Sequence, residues 1–339
     1  MTWTALHSHV HQRLKRYRYL PPESAILMAV SGGQDSVCLG QILLDLRKKW
    51  HWQLAIAHCD HGWPTDAGIA DHVRALAHHW QLPYWQKTAV NLPETEEAAR
   101  EWRYQALIEI AQEQHYAYIV TGHTQSDRAE TFLYNLIRGA GTQGLTALTW
   151  QRFLTPTIQL VRPLLNLSRQ TTGNFCHQYS LPIWEDVVNE KLTYARNRLR
   201  HRVFPYLTDH FNPHTEQHLA QTAEILQAEN AYLTEITAQA LTNSLGPHPH
   251  QLSLSALQTL PLALQRRVIR QFLQGYLNQT LTFEQTEEVV TLIHAPNQSC
   301  SSSLPGNYQV KIEKPWLVLL QPCPNSSGRT VNNSLKFVN

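Results

Sequence analysis

Apolar positions follow two rhythms along the first two hundred residues. Ala25-Ile26-Leu27-Met28-Ala29-Val30 is a short continuous apolar run, the pattern of a strand buried on both faces, and after it Val37, Leu39, Ile42, Leu43 and Leu46 recur at helical spacing. Strand and helix are then predicted again and again. Gln53 to His58 reads as a strand, Asp71 to Trp80 as a helix with Val73, Leu76 and Ala77 inward, Tyr84 to Val90 as a strand, and Thr95 to Gln114 as a long helix. Tyr116 to Val120 reads as a fourth strand, leading through Thr121-Gly122-His123 into a helix from Ser126 to Arg138. Strands alternating with helices at this spacing predict an α/β fold with a doubly wound parallel sheet, whose ligands sit at the carboxyl ends of the strands.

Elsewhere the pattern is helical. A basic helix runs to Tyr19 and ends at Pro21-Pro22; another spans Arg169 to Tyr179, and a basic one Thr193 to Phe204 beyond the polar loop Glu185 to Asn189. From Pro213 only helices are expected, Gln217 to Leu241, Pro261 to Leu277 and Phe283 to His294, with residues 245–250 as a linker. Tyr308 to Ile312 and Trp316 to Leu320 then form a β-hairpin, and the polar residues after Pro322 are expected to be disordered. The expected domains are 1–212, 213–296, 297–321 and the tail 322–339.

Composition narrows the class. With 42% hydrophobic and 16% charged residues among 339, the chain is globular, and no apolar run resembles a signal peptide or membrane span, so a cytoplasmic protein is expected. Five scattered cysteines, never spaced C-x-x-C, suggest neither a disulfide framework nor a thiolate zinc site. The net charge is only +2, yet Lys191, Arg196, Arg198, Arg200 and Arg202 fall in a segment without an acid, pointing to a polyanion partner or to a solvated basic helix face.

The chemistry centres on Ser31-Gly32-Gly33-Gln34-Asp35-Ser36. Two glycines where a strand turns into a helix let a phosphate approach backbone N–H groups at the positive end of the helix dipole, although an ordinary βα turn has the same look. No Gly-Lys-Ser/Thr follows, so this is not a Walker loop; the G-x-G-x-x-G of residues 139–144 follows a helix and is no dinucleotide fingerprint. His58, Asp60 and His61 end the second strand without a second ligand group at zinc spacing, and read as lining a nucleotide pocket with Gly122 and His123, Asp60 and His61 shaping the turn. Glu97, Arg100 and Tyr104 share a helix face, where the alternative is a plain intrahelical pair. Asp127 and Glu130 also share one, and Thr124 with Asp127 fits a capping box that could coexist with a site role.

These residues together resemble the N-type ATP pyrophosphatases, whose S-G-G-x-D-S loop is matched in full by Ser31 to Ser36. Within that group the chain is similar to the tRNA(Ile)-lysidine synthetase family. Supporting matches are His58 with Asp60-His61-Gly62, Glu97 to Arg100 with Arg103-Tyr104, Thr121-Gly122-His123 with Asp127 and Glu130-Thr131, Arg138-Gly139 with Gly141 and Gly144-Leu145, Arg162-Pro163-Leu164, and Glu185-Asp186 with Asn189 and Arg196-Asn197-Arg198. Two departures stand out: Ser126 replaces the first of a usual aspartate pair, and the chain ends after one short hairpin where longer members continue.

The resemblance implies an adenine nucleotide α-hydrolase-like PP-loop sheet and a ligase that adenylates the wobble cytidine of tRNA(Ile) with a CAU anticodon, then attaches lysine at C2 to give lysidine, AMP and pyrophosphate. It implies ATP on Ser31, Gly32, Gly33, Gln34, Asp35 and Ser36, with Asp35 as the Mg²⁺ ligand. Asp35, Arg100, Asp127 and Glu130 are the candidates for catalysis and lysine binding; Arg103, Arg138, Arg196, Arg198, Arg200 and Arg202 are those for gripping phosphate or tRNA, with Arg196 and Arg198 also allowed nearer the catalytic centre. Free L-lysine and the tRNA are the expected partners, no membrane is, and a homodimer is left open. The rival readings are a tRNA thiolase, against which the lack of C-x-x-C pairs argues, and a non-catalytic RNA-binding protein on the same fold.

Overall fold

The computed structural model describes residues 3–184 and 194–321. Two compact units divide between Gln227 and Ala228, a boundary further along the chain than the expected break at residue 212.

The first unit opens with helix α1 (Ala5–Tyr17), started by a Thr4 capping box and stopped by Arg18 in the left-handed region. There follow β1 (Ala25–Ala29), α2 (Gln34–Trp50), β2 (Gln53–Asp60), α3 (Ile69–His79), β3 (Tyr84–Thr88), α4 (Glu96–Glu113), β4 (Tyr118–Thr121) and α5 (Gln125–Ile137). All eight fall where the apolar rhythm places them. The short α6 (Thr142–Leu145), β5 (Gln151–Phe153) and β6 (Gln159–Val161) were not expected from it. Three-residue strands carry too few positions to display a period, and β5 is exposed along its whole length.

These two strands alter the sheet. It has six strands in the order β3-β2-β1-β4-β6-β5; β6 pairs parallel to β4, and β5 returns antiparallel as an edge. The sheet is therefore mostly parallel, with one antiparallel margin. Ile26 and Met28 face a core of α1, α2, α3 and α7 (Arg169–Gln178) built from Val10, Leu14, Val37, Leu43, Val73 and Phe175. Leu27 faces the opposite core, where Leu107 and Ile110 of α4 meet Ile119 and Leu160. Apolar side chains on both faces of β1 explain its unbroken apolar run.

The basic stretch forms α8 (Ala195–Arg198), a π-helical segment (Leu199–Val203) and α9 (Phe204–His210), while Glu185, Asp186, Asn189, Lys191 and Thr193 lie outside the described residues. Then α10 (Thr215–Ser244) crosses from the first unit into the second.

The second unit continues with β7 (Gln251–Ser253), α11 (Leu254–Thr259), α12 (Leu262–Gln274), α13 (Phe283–Leu292), β8 (Gln309–Glu313) and β9 (Trp316–Leu320). Helices alone were expected before the hairpin. Instead β7 joins it as a third strand against β9, and one core gathers Leu252, Val268, Phe272, Val289, Val310 and Leu317. A short strand directly before a helix offers no period of its own. The expected disordered tail lies outside the described residues. Among the described residues no helix is long and apolar enough to cross a membrane.

Candidate active site

The turn after β1 is held by its own serines. Ser31 N–H donates to Ser36 Oγ (3.2 Å), and Ser36 Oγ–H donates to the Gly33 carbonyl (2.9 Å). Gly32 has φ +87°, which L side chains rarely adopt, and Trp184 N–H donates to its carbonyl at 2.9 Å. Gly33 is the N-cap of α2 and supplies no side-chain hydrogen bond, so the first-turn N–H groups are not capped by a side chain. Those donors and the helix dipole are suited to an anion.

A second glycine fixes how closely β4 approaches this turn. A Cβ on Gly122 would stand 2.7 Å from the Asp35 carbonyl oxygen and 2.8 Å from Ser36 N. Backbone meets backbone there, and only a hydrogen fits between.

Asp35, in the first turn of α2, is tied down from α7: Thr172 Oγ1–H donates to Asp35 Oδ1, and Arg169 Nε lies 3.9 Å from Oδ2. Gln34 reaches the same helix through its amide, donating to the Arg169 carbonyl at 2.8 Å. Burial pushes the Asp35 carboxyl up, the Thr172 bond works against it, and Asp127 raises it further. Arg169 and Thr172 were not anticipated, because their distance along the chain hides a contact made through α2·α7 packing.

The end of β2 is used structurally as well. His58 donates from Nδ1 to the Val30 carbonyl (2.9 Å), and burial holds its pKa below the ordinary value. It braces the strand next to the phosphate turn. Asp60 Oδ1 accepts from Gly62 N–H (2.9 Å), His61 Nδ1 meets Asp66 Oδ2 (2.9 Å), and the His61 ring stacks on Trp63. His61 Nε2 is buried without a hydrogen-bond partner among the described residues, so it keeps a polar atom for a ligand.

The carboxylates of α5 form the second half of the site. Asp127 Oδ2 accepts from the Thr124 N–H (2.8 Å) and hydroxyl (2.9 Å), completing the capping box, while Asp127 Oδ1 accepts from Arg200 Nη2 at 3.3 Å. Glu130, only 3% exposed, takes two bonds from the same guanidinium, from Nε at 2.6 Å and Nη2 at 2.9 Å. Burial raises the Glu130 carboxyl above its ordinary value. For Asp127 burial also works upward, but His123, the Thr124 N–H and Arg200 outweigh it and hold the carboxyl low.

Arg200 thereby departs from expectation. It was grouped with Arg202 as a phosphate grip, yet its fork is turned inward onto two carboxylates. The reason is helical phase: the π-helical segment Leu199–Val203 directs position 200 toward α5, while Arg198 and Arg202 stay exposed. Arg103 and Arg138 are exposed as well, Arg138 donating to Tyr134 Oη at 3.2 Å, whereas Arg100 and Arg196 are partly buried.

Ser126 has a partner of its own. Its hydroxyl donates to Glu216 Oε2 at 2.6 Å, at the start of α10, so an acid reaches this place from a helix the resemblance did not single out. As to metal, the described residues contain no cluster of three or more His, Cys, Asp or Glu able to hold an ion. The lone Asp35 carboxylate suits Mg²⁺, which keeps waters and takes one or two carboxylates together with substrate phosphates.

Comparison with known proteins follows the same two-unit division. A family model described as a PP-loop domain matches residues 6–207, and one described as a TilS substrate binding domain matches residues 252–313. The tRNA(Ile)-lysidine synthase of Synechocystis sp. is 53% identical, over 94% of this chain and 98% of that protein. That of Nostoc sp. is 49% identical over the same shares, and the chloroplastic one of Zygnema circumcarinatum 34% identical over 90% of this chain and 84% of its own. Among solved structures, the U34-tRNA thiolase of Methanococcus maripaludis with its 4Fe–4S cluster superposes with a TM-score of 0.56 at 16% identity, covering 65% of this chain and 77% of that one. That likeness concerns the fold.

Proposed function

The chain belongs to the tRNA(Ile)-lysidine synthase family, and from that membership we propose how its own residues carry out the reaction. The protein forms lysidine on tRNA(Ile) at the expense of ATP. In the first step the C2 oxygen of the wobble cytidine bonds to the α-phosphorus of ATP and pyrophosphate leaves. In the second, the lysine ε-nitrogen bonds to C2 and AMP departs with that oxygen.

The turn Ser31 to Ser36 and the N-terminus of α2 hold the phosphates, their fixed N–H donors stabilising the charge that develops on departing pyrophosphate. Mg²⁺ on Asp35 would neutralise phosphate charge there. Substrate lysine arrives as a cation, with an ε-amine pKa of about 10.4, and must lose a proton before it can attack. Asp127, held ionised, attracts the ammonium; Glu130, whose proton affinity burial raises, accepts the proton. Each carboxylate has lone pairs beyond those given to Arg200. The observation that supports this reading is geometric: Gly122, at the end of β4, lies against the backbone of Asp35 and Ser36, and α5 with Asp127 and Glu130 begins three residues further on, next to the phosphate turn.

The wobble cytidine of a CAU anticodon is presented as an unstacked base, as single-stranded recognition requires, and exposed Arg198 and Arg202 hold its backbone. The cytoplasm, where tRNA is modified, is the proposed location. The test is incorporation of radiolabelled lysine into a tRNA(Ile) transcript bearing CAU, with ATP. Asp35→Ala is expected to abolish it; no incorporation by the wild type, or undiminished incorporation by the variant, defeats the reading.

A further inference from the structure

Three arginines converge on one tyrosine beside this site. Tyr104 of α4 is partly buried, and its hydroxyl accepts from Arg162 Nη2 at 3.4 Å. The guanidinium carbons of Arg152 and Arg100 lie 4.7 Å and 5.6 Å from the centre of its ring. Arg162 is 1% exposed; its Nη1 donates to the Thr149 carbonyl at 2.6 Å, and its Nε is buried without a partner. No carboxylate pairs with Arg100, Arg152 or Arg162 among the described residues. A guanidinium removed from water and left without an anion is costly, and here one is fully buried beside two others.

Position decides what the cluster is for. Arg162 directly follows β6, which runs parallel to β4, so it stands at the carboxyl end of its strand as His123 does at that of β4. Arg162, and the Tyr104 hydroxyl and ring that it shares with Arg100 and Arg152, therefore belong to the edge of the sheet that carries the phosphate turn. Guanidinium forks match the oxygens of a phosphate, and a tyrosine whose oxygen already accepts from Arg162 has its O–H proton left to donate. The same charges draw the phenol below its ordinary pKa despite burial, so it is a strengthened donor.

We propose that Tyr104, Arg100 and Arg152 form a phosphate-oxygen subsite, with buried Arg162 as the positioning residue that turns the Tyr104 hydroxyl toward it. The subsite rests on the lysidine-forming reading and adds Tyr104, Arg152 and Arg162 to it. Its phosphate comes either from ATP, retained as AMP on the activated cytidine, or from the RNA backbone next to that cytidine.

Tyr104→Phe and Arg152→Gln in the full chain test it, Arg152 being exposed and safe to change. Three quantities are read: adenylation of the tRNA transcript without lysine, lysine transfer, and tRNA affinity at several salt concentrations. For a nucleotide phosphate, adenylation or transfer falls about tenfold in each variant and tRNA affinity holds. For a backbone phosphate, affinity falls about tenfold and Arg152→Gln flattens the log–log salt slope by about 1. All three quantities within twofold of wild type overturn the subsite. Arg162→Met should lower the same quantity in the wild type but not in a Tyr104→Phe background, since it acts through the hydroxyl; an equal loss in both makes it merely structural and overturns its positioning role. A wild type that binds tRNA and ATP without making lysidine refutes the parent reading instead, while the binding measurements still judge the subsite.

Discussion

Replacing Arg200 by alanine should expose the cost of the carboxylates it serves. The substitution removes both bonds to Glu130 and the one to Asp127, leaving Glu130, with 4% side-chain exposure, as an unpaired buried acid. Breaking a buried pair from one side costs about 3–5 kcal/mol. Arg200 retains 21% side-chain exposure, so water can partly replace it and about 3 kcal/mol is expected. The loss should depend on pH in a definite direction. Glu130 already has a raised carboxyl pKa, and without Arg200 it rises further. An acid with a raised folded-state pKa destabilises the fold above that pKa and ceases to do so below the unfolded value, near 4.3, where it is protonated in both states. Urea unfolding should therefore find the Arg200→Ala deficit largest at neutral pH and shrinking as pH falls toward 5. Glu130→Gln added to the variant should recover about 1–2 kcal/mol at pH 7. The slope of tRNA affinity against salt should stay that of wild type, whereas Arg202→Ala should flatten it by about 1. A deficit independent of pH and untouched by Glu130→Gln, together with a flattened slope, would return Arg200 to the phosphate-gripping role.

Two further substitutions test the neighbouring geometry. Gly122→Ala drives a methyl into the backbone of Asp35 and Ser36; a loss of about 1–3 kcal/mol and weaker ATP binding are expected, and a variant with native melting and native ATP affinity would contradict the close approach. Ser126→Asp sets a second carboxylate against Glu216, where the hydroxyl now donates at 2.6 Å, so stability should fall by about 1–2 kcal/mol at pH 7 and return when Glu216→Gln is added; an unchanged thermal midpoint would show that the pair carries no load.

Much of the candidate site's geometry was legible because its parts are local. Ser31 to Ser36 announces itself by two glycines between an apolar run and a helical period, and Thr124 with Asp127 spells a capping box that the structure forms. Arg200 was legible as a cation but not as a partner of Glu130, since a basic tract reads alike whether it faces solvent or an acid. Thr172, Arg169 and Arg152 carried no local signal at all, and Arg162 was read only within the Arg162-Pro163-Leu164 match, without a role of its own.

The sequence by itself determined which segments form β1 to β4 and the helices between them, where the two-glycine turn joins β1 to α2, and which family the chain resembles. Those follow from periodicity and short-range chemistry, where neighbours along the chain are neighbours in space. Only the tertiary structure decided that β5 and β6 extend the sheet, that β7 completes the second one, that α7 steadies Asp35, and that Arg200 turns inward while Arg162 is buried with no acid paired to it among the described residues. Those outcomes depend on residues far apart in the chain, and on the phase with which each helix presents them.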